Sequence, residues 1–252
     1  MIELHNTDCR EIMASIKTGS IDCIITDPPY YSTNLAFDKA PRIDFEAWLK
    51  ECQRVLKPHG VLVSFSDFNL LSELRRLSPF KSTYELIWRK SSAVGFLQAN
   101  QRPLRNHEFI GIFVDGLKKS TYNPQMVDCK PYYHCATKMT KIYSGNESIA
   151  KHYDKAHPAS VLEFQNDVER SDSSKIGKNR HPTQKPLDAI SWLLKTYSNE
   201  EDTVLDCFMG SGTTGHACTL LNRNFIGCEL DKNYFAIAEK RILDANHNLF
   251  NL

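Results

Sequence analysis

Ile21-Asp22-Cys23-Ile24-Ile25-Thr26-Asp27-Pro28-Pro29-Tyr30 is the stretch on which the reading of this chain turns. Ile21–Thr26 is mostly apolar and β-branched, as a strand covered on both faces is. It ends in an acid, two prolines and an aromatic. Each proline fixes its φ and removes a backbone donor, so carbonyl oxygens are left without opposing N–H groups. Asp27 adds further acceptors and Tyr30 a flat face. Ligands of open α/β sheets gather at the carboxyl ends of strands. The tetrapeptide therefore suits a planar substrate whose amine is gripped by acceptors, although a proline-stiffened turn would read the same way in isolation. The direction of Tyr31 is not readable.

Outward from this strand, Ile2–His5, Val61–Phe65, Tyr84–Trp88, Glu108–Val114, Thr203–Cys207 and Asn224–Cys228 also read as strands. Helical patterns lie at Asp8–Ile16, Phe45–Leu56 (stopped by Lys57-Pro58-His59-Gly60), 187–197, Gly212–Leu221 and Asn233–Ala245. Alternating strands and helices predict an α/β chain with a mostly parallel, seven-stranded, doubly wound sheet. From about 115 to 180 no period of 2 or 3.6 residues is sustained, and Lys, Tyr, Asn, Ser and His dominate. This reads as a loop-rich insertion over 115–178 between halves 1–114 and 179–252.

The 252 residues carry a net charge of only +1, with 41% hydrophobic residues. The distribution is uneven. Residues 1–69 hold 7 basic and 10 acidic groups, residues 70–185 hold 19 and 11, and residues 186–252 hold 5 and 9. A basic middle between acidic flanks suggests a polyanion-facing segment on a scaffold with another task. No apolar run reaches the roughly 20 residues of a membrane helix, and no signal segment opens the chain, so a cytoplasmic location is expected. The eight cysteines form no Cys-x-x-Cys pair. They read as reduced, with no disulfide framework and no metal site.

Thr203-Val204-Leu205-Asp206-Cys207-Phe208-Met209-Gly210-Ser211-Gly212-Thr213-Thr214 reads as a strand, a glycine turn and a helix start. No Lys follows Gly212, which argues against a phosphate-cradling loop. The next strand ends in Glu229, a position suited to ribose hydroxyls. A nucleoside-bearing cofactor without a tightly held phosphate fits. A third motif, Arg180-His181-Pro182-Thr183-Gln184-Lys185-Pro186, precedes the helix at 187–197.

These motifs, in this order, resemble the β class of amino-group DNA methyltransferases that use S-adenosylmethionine. The resemblance extends to Thr7-Asp8-Cys9, Arg54–Gly60, Ile87–Lys90 and Arg105–Glu108, and departs where Cys207 replaces the usual Pro and His59 the more frequent Gly. It implies a Rossmann-like methyltransferase fold, with the insertion as target-recognition region. It also implies S-adenosylmethionine as cofactor, held by Asp8, Cys9, Thr183, Lys185, Asp206, Phe208, Gly210, Ser211, Gly212, Thr213 and Glu229. Asp27 and the Pro28 carbonyl would hold the target amine, with Pro29 stiffening the loop and Tyr30 stacking on a flipped base. Arg102, Arg105, Lys175, Lys178 and Arg180 become candidate contacts to double-stranded DNA. Asp at position 27 leans towards N6 of adenine over N4 of cytosine. A homodimer and a companion restriction endonuclease are the protein partners the resemblance raises.

Overall fold

The computed structural model describes residues 1–31, 42–134, 151–165 and 184–249. In chain order these form β1 (Ile2–His5), α1 (Cys9–Ser15), β2 (Ile21–Thr26), α2 (Phe45–Val55), β3 (Leu56–Ser66), α3 (Phe68–Leu77), β4 (Ser82–Val94), β5 (Arg105–Val114), β6 (Val127–His134), β7 (Lys151–Ala156), β8 (Val161–Phe164), α4 (Leu187–Tyr197), β9 (Thr203–Asp206), α5 (Thr213–Leu220), β10 (Asn224–Cys228) and α6 (Lys232–Leu249). The chain divides into two compact units, Met1–Asn123 with Ser160–Leu252, and Pro124–Ala159.

The larger unit holds one sheet in the order β1-β10-β9-β2-β3-β5-β4-β8. Only β5 runs antiparallel to its neighbours. Among the described residues the sheet has eight strands where seven were expected. The extra one, β8, pairs parallel to β4 at the edge, from Ile87↔Val161 to Lys90↔Phe164. Of its four residues only Leu162 is buried, so it shows no apolar run. The smaller unit is built on the antiparallel pair β6–β7. The segment read as irregular thus contains three strands among its described residues.

All six residues of β2 are buried. Successive side chains alternate between faces. Cys23 and Ile25 pack with Ile190, Leu193 and Leu194 of α4, while Ile24 packs with Trp48 and Leu49 of α2 and Leu70 and Leu74 of α3. Helices α1–α3 therefore cover one face and α4–α6 the other. Lys57–Gly60 ends α2 as expected but forms no loop, because β3 begins at Leu56.

Asp22 is the acid inside β2. Its carboxylate accepts from Lys57 Nζ at 2.8 Å and from the Thr203 amide at 3.0 Å, with His59 Nε2 at 3.1 Å. Burial works against the charge, but these partners outweigh it and hold the carboxyl below its usual range. Its stabilising contribution is present above the ordinary Asp value and is lost as pH falls through the lowered one. Asp22→Ala is expected to cost about 1–3 kcal/mol in urea unfolding at neutral pH; an unchanged midpoint would refute this account of β2. No helix among the described residues is long and apolar enough to cross a membrane.

Candidate active site

β1, β10, β9, β2 and β3 are consecutive and parallel, so their carboxyl ends share one edge. Each delivers an acid there: Asp8, Glu229, Asp206, Asp27 and Asp67 respectively. The reversed strand β5 brings Glu108, near its start, opposite Trp88 of β4.

Asp27 lies at the centre of this edge, its side chain about a quarter exposed (26%). The Tyr30 hydroxyl donates to Asp27 Oδ1 at 2.8 Å, and the Lys185 ammonium donates to Oδ2. Lys185 Nζ also lies 3.5 Å from Glu108 Oε2, and Lys90 donates to Glu108 Oε1. A chain of alternating charge results: Asp27, Lys185, Glu108, Lys90. Burial pushes the Asp27 carboxyl above its usual range, an effect Lys185 partly offsets. Burial also works against the Lys185 charge, yet Asp27 and Glu108 outweigh it and hold the ammonium above its ordinary value. Glu108 would be raised by burial, but Lys185 and Lys90 bring it below the normal range. The Tyr30 hydroxyl, raised well above normal by burial and then by Asp27, stays a donor. Glu108 Oε2 is buried without a hydrogen-bond partner. Tyr31 turns away at φ 54; its hydroxyl accepts from the Ile43 amide at 2.9 Å and its ring packs edge-on against Phe45.

The glycine turn is tied to this loop. Thr26 Oγ1 donates to Asp206 Oδ1 at 2.8 Å, and the Phe208 amide donates to the same oxygen at 3.1 Å. Burial pushes the Asp206 carboxyl up to about 6, against hydrogen bonds led by Thr214. The Gly210 amide donates to Glu229 Oε2 at 2.9 Å, so the ends of β9 and β10 are coupled too. Gly212 is required by packing: at φ +78, an added Cβ would lie 2.8 Å from Ala238 Cβ on α6. Gly212→Ala should destabilise the fold by about 2 kcal/mol or more, through strain at the left-handed position plus overpacking; an unshifted melting temperature would contradict that.

The other expected residues fall out as follows. Ser211 Oγ donates to Gln184 Oε1 at 3.0 Å, and Thr213 Oγ1 accepts from Arg241 at 2.9 Å. Phe208 is partly buried, its ring 6.0 Å from Trp48. Asp8 caps α1 and pairs with Arg10 at 2.6 Å, which lowers its pKa. The Cys9 side chain lies in the core, leaving only its backbone for a ligand. Arg102 and Arg105 are exposed on the β4–β5 arm. Thr183, Lys175, Lys178 and Arg180 lie outside the described residues. Sequence reasoning missed Glu108 and Lys90 as site groups, although both end stretches that carry the family resemblance, Ile87–Lys90 and Arg105–Glu108.

Fold and site together define the class: this is the Rossmann-like architecture of methyltransferases. Residues 21–240 match the DNA methylase family of N6 and N4 enzymes, and the chain belongs to that family. It is 33% identical over 254 residues to the type II methyltransferase M.HpaI of Haemophilus parainfluenzae, covering 94% of this chain and 73% of that protein. The solved structure of an M1.HpyAVI–SAM complex matches with TM-score 0.61 at 27% identity, over 96% of this chain and 99% of that one. The cytosine-N4-specific PvuII DNA methyltransferase matches with TM-score 0.66, over 99% of this chain and 93% of that one. At 17% identity that likeness bears on the fold alone.

Proposed function

We propose that this chain transfers a methyl group from S-adenosylmethionine to N6 of adenine in DNA, with the base taken out of the duplex. One observation carries the reading. Asp27 accepts a hydrogen bond from the Lys185 ammonium, and its neighbour Thr26 ties the loop to the glycine turn on the adjacent strand end through its hydrogen bond to Asp206.

The donor set fits the cofactor. Asp8, Glu229, Asp206 and Asp27 come from four neighbouring strand ends, a field that repels a phosphate and favours a ligand with ribose hydroxyls and net positive charge. S-adenosylmethionine is such a ligand, and when bound it supplies an electrophilic methyl group on a sulfonium. Glu229 would hold the ribose hydroxyls, and Asp206 would face the cationic methionine end.

The chain's own work is to make a poor nucleophile react. The target amine shares its lone pair with the base ring. Asp27 and the Pro28 carbonyl accept its two N–H bonds, which favours a pyramidal nitrogen with the lone pair aimed at the methyl group. Tyr30 supplies the flat face for the base, worth about 1–3 kcal/mol of stacking. Positioning and fixed charge carry the catalysis. The basic segment, with Arg102 and Arg105, meets phosphates, and the 115–178 region reads the target sequence.

The cofactor should bind less tightly in acid. Asp206 titrates at about 6, and a cationic ligand favours its anionic form. Affinity for S-adenosylmethionine should therefore fall as pH drops below about 6, approaching tenfold per unit, with a proton released on binding. Calorimetry in buffers of different ionisation enthalpy measures both; affinity and proton release that stay flat from pH 5 to 8 would contradict the placement of Asp206. The transfer itself is tested by incubating duplex DNA with the protein and methyl-labelled S-adenosylmethionine. Label should enter the DNA, and DNA left unlabelled by protein that binds the cofactor would sink the proposal.

A further inference from the structure

β4 and β5 do not stop at the site. Beyond Lys90, β4 continues to Val94, with its pairing shifted between Arg89 and Val94. Gly95 then turns at φ 97 into a single 3-10 turn, Phe96–Gln98, before the chain returns through Arg105. Every residue from 91 to 106 is exposed. At the tip, Phe96 is 82% and Leu97 is 96% exposed, with Val94 and Leu104 also on the surface.

Two adjacent large apolar side chains on a projecting arm add nothing to the core and cost solubility, so their use lies outside the unit. Their surroundings narrow the partner. Residues 89–107 contain Arg89, Lys90, Arg102 and Arg105 and no acid. Glu163 and Glu108 hold the first two, while Arg102 and Arg105, exposed and without a side-chain partner among the described residues, can meet an external anion. An apolar tip inside a purely basic arm fits a polyanion with an apolar interior, which is stacked nucleic acid. Reach agrees. Phe96 is six residues past Lys90, so the tip stands within about 20 Å of the Asp27 cluster at strand rise.

We propose that Phe96 and Leu97 form a wedge that enters the base stack of duplex DNA beside the target base, with Arg102 and Arg105 on the flanking phosphates. The inference rests on the reading of the chain as a methyltransferase acting on a flipped base. Apolar side chains inserted between base steps unstack them at a cost of a few kcal/mol, offset by the wrapped contact. Here the wedge fills the gap that the departing base leaves.

The test compares the wild type with the Phe96→Ala/Leu97→Ala variant on two duplexes carrying the sequence the wild type methylates. In one the target base is paired; in the other it faces an abasic position. The variant should lose roughly tenfold or more in kcat/KM on the paired duplex, the scale of one unstacked step. On the abasic-opposed duplex, where little unstacking is left to do, it should stay within about threefold of wild type. Equal loss on both duplexes, or none on either, overturns the wedge. Unchanged activity with a dimer lost in light scattering also overturns it and assigns the tip to a second copy. If the wild type methylates no duplex DNA of any sequence, the functional reading itself falls.

Discussion

Asp27→Ala is expected to slow methyl transfer by roughly a thousandfold, the upper range for removing one preorganised hydrogen-bonding group at a reacting centre. The Asp27 side chain supplies the carboxylate at the end of β2, and its two partners there, the Tyr30 hydroxyl and the Lys185 ammonium, both donate to it. Cofactor binding should persist, since Asp206 and Glu229 keep their own partners. Single-turnover kinetics with saturating cofactor isolates the step. Full activity would remove Asp27 from the chemistry.

Lys185→Met should have the next largest effect, and on two readouts. The ammonium is buried and faces both Asp27 and Glu108. Its loss leaves two carboxylates in one site with Lys90 as the remaining cation, which should cost about 3–5 kcal/mol in unfolding measurements. The contribution of Lys185 is fully present at neutral pH and fades only as pH rises through its raised value. The rate shifts as well. Asp27 must be deprotonated to accept from the amine, and without Lys185 its carboxyl rises further. The acid limb of the rate profile should therefore move to higher pH. Glu108→Gln should move that limb the other way, because the Glu108 charge raises Asp27 while Lys185 lowers it. Two shifts in the same direction would contradict the charge chain.

Legibility in the sequence followed burial. β2 was readable because it is buried at every position, and the strand–turn–helix at 203–214 because a short apolar run meets glycines. β8 was not, since an edge strand with one buried residue looks like loop. Helix α3 went unnoticed although Asp67 caps it through the Leu70 amide and Leu70, Leu71 and Leu74 are buried; three leucines in five residues carry too short a period to stand out. At the site, residue types and strand ends were readable, but pairings were not. Lys185 stands 158 residues from Asp27 in sequence, and only the sheet order brings them together. Gly212 was expected to admit a ligand, and its tightest neighbour is Ala238 of α6.

The base that enters is the centre of the account, and mass spectrometry of nucleosides reads it directly. Duplex DNA treated with the protein and S-adenosylmethionine, then digested, should contain N6-methyladenine, formed far more slowly when Asp27→Ala replaces the wild type. N4-methylcytosine as the sole product would contradict the assignment of adenine.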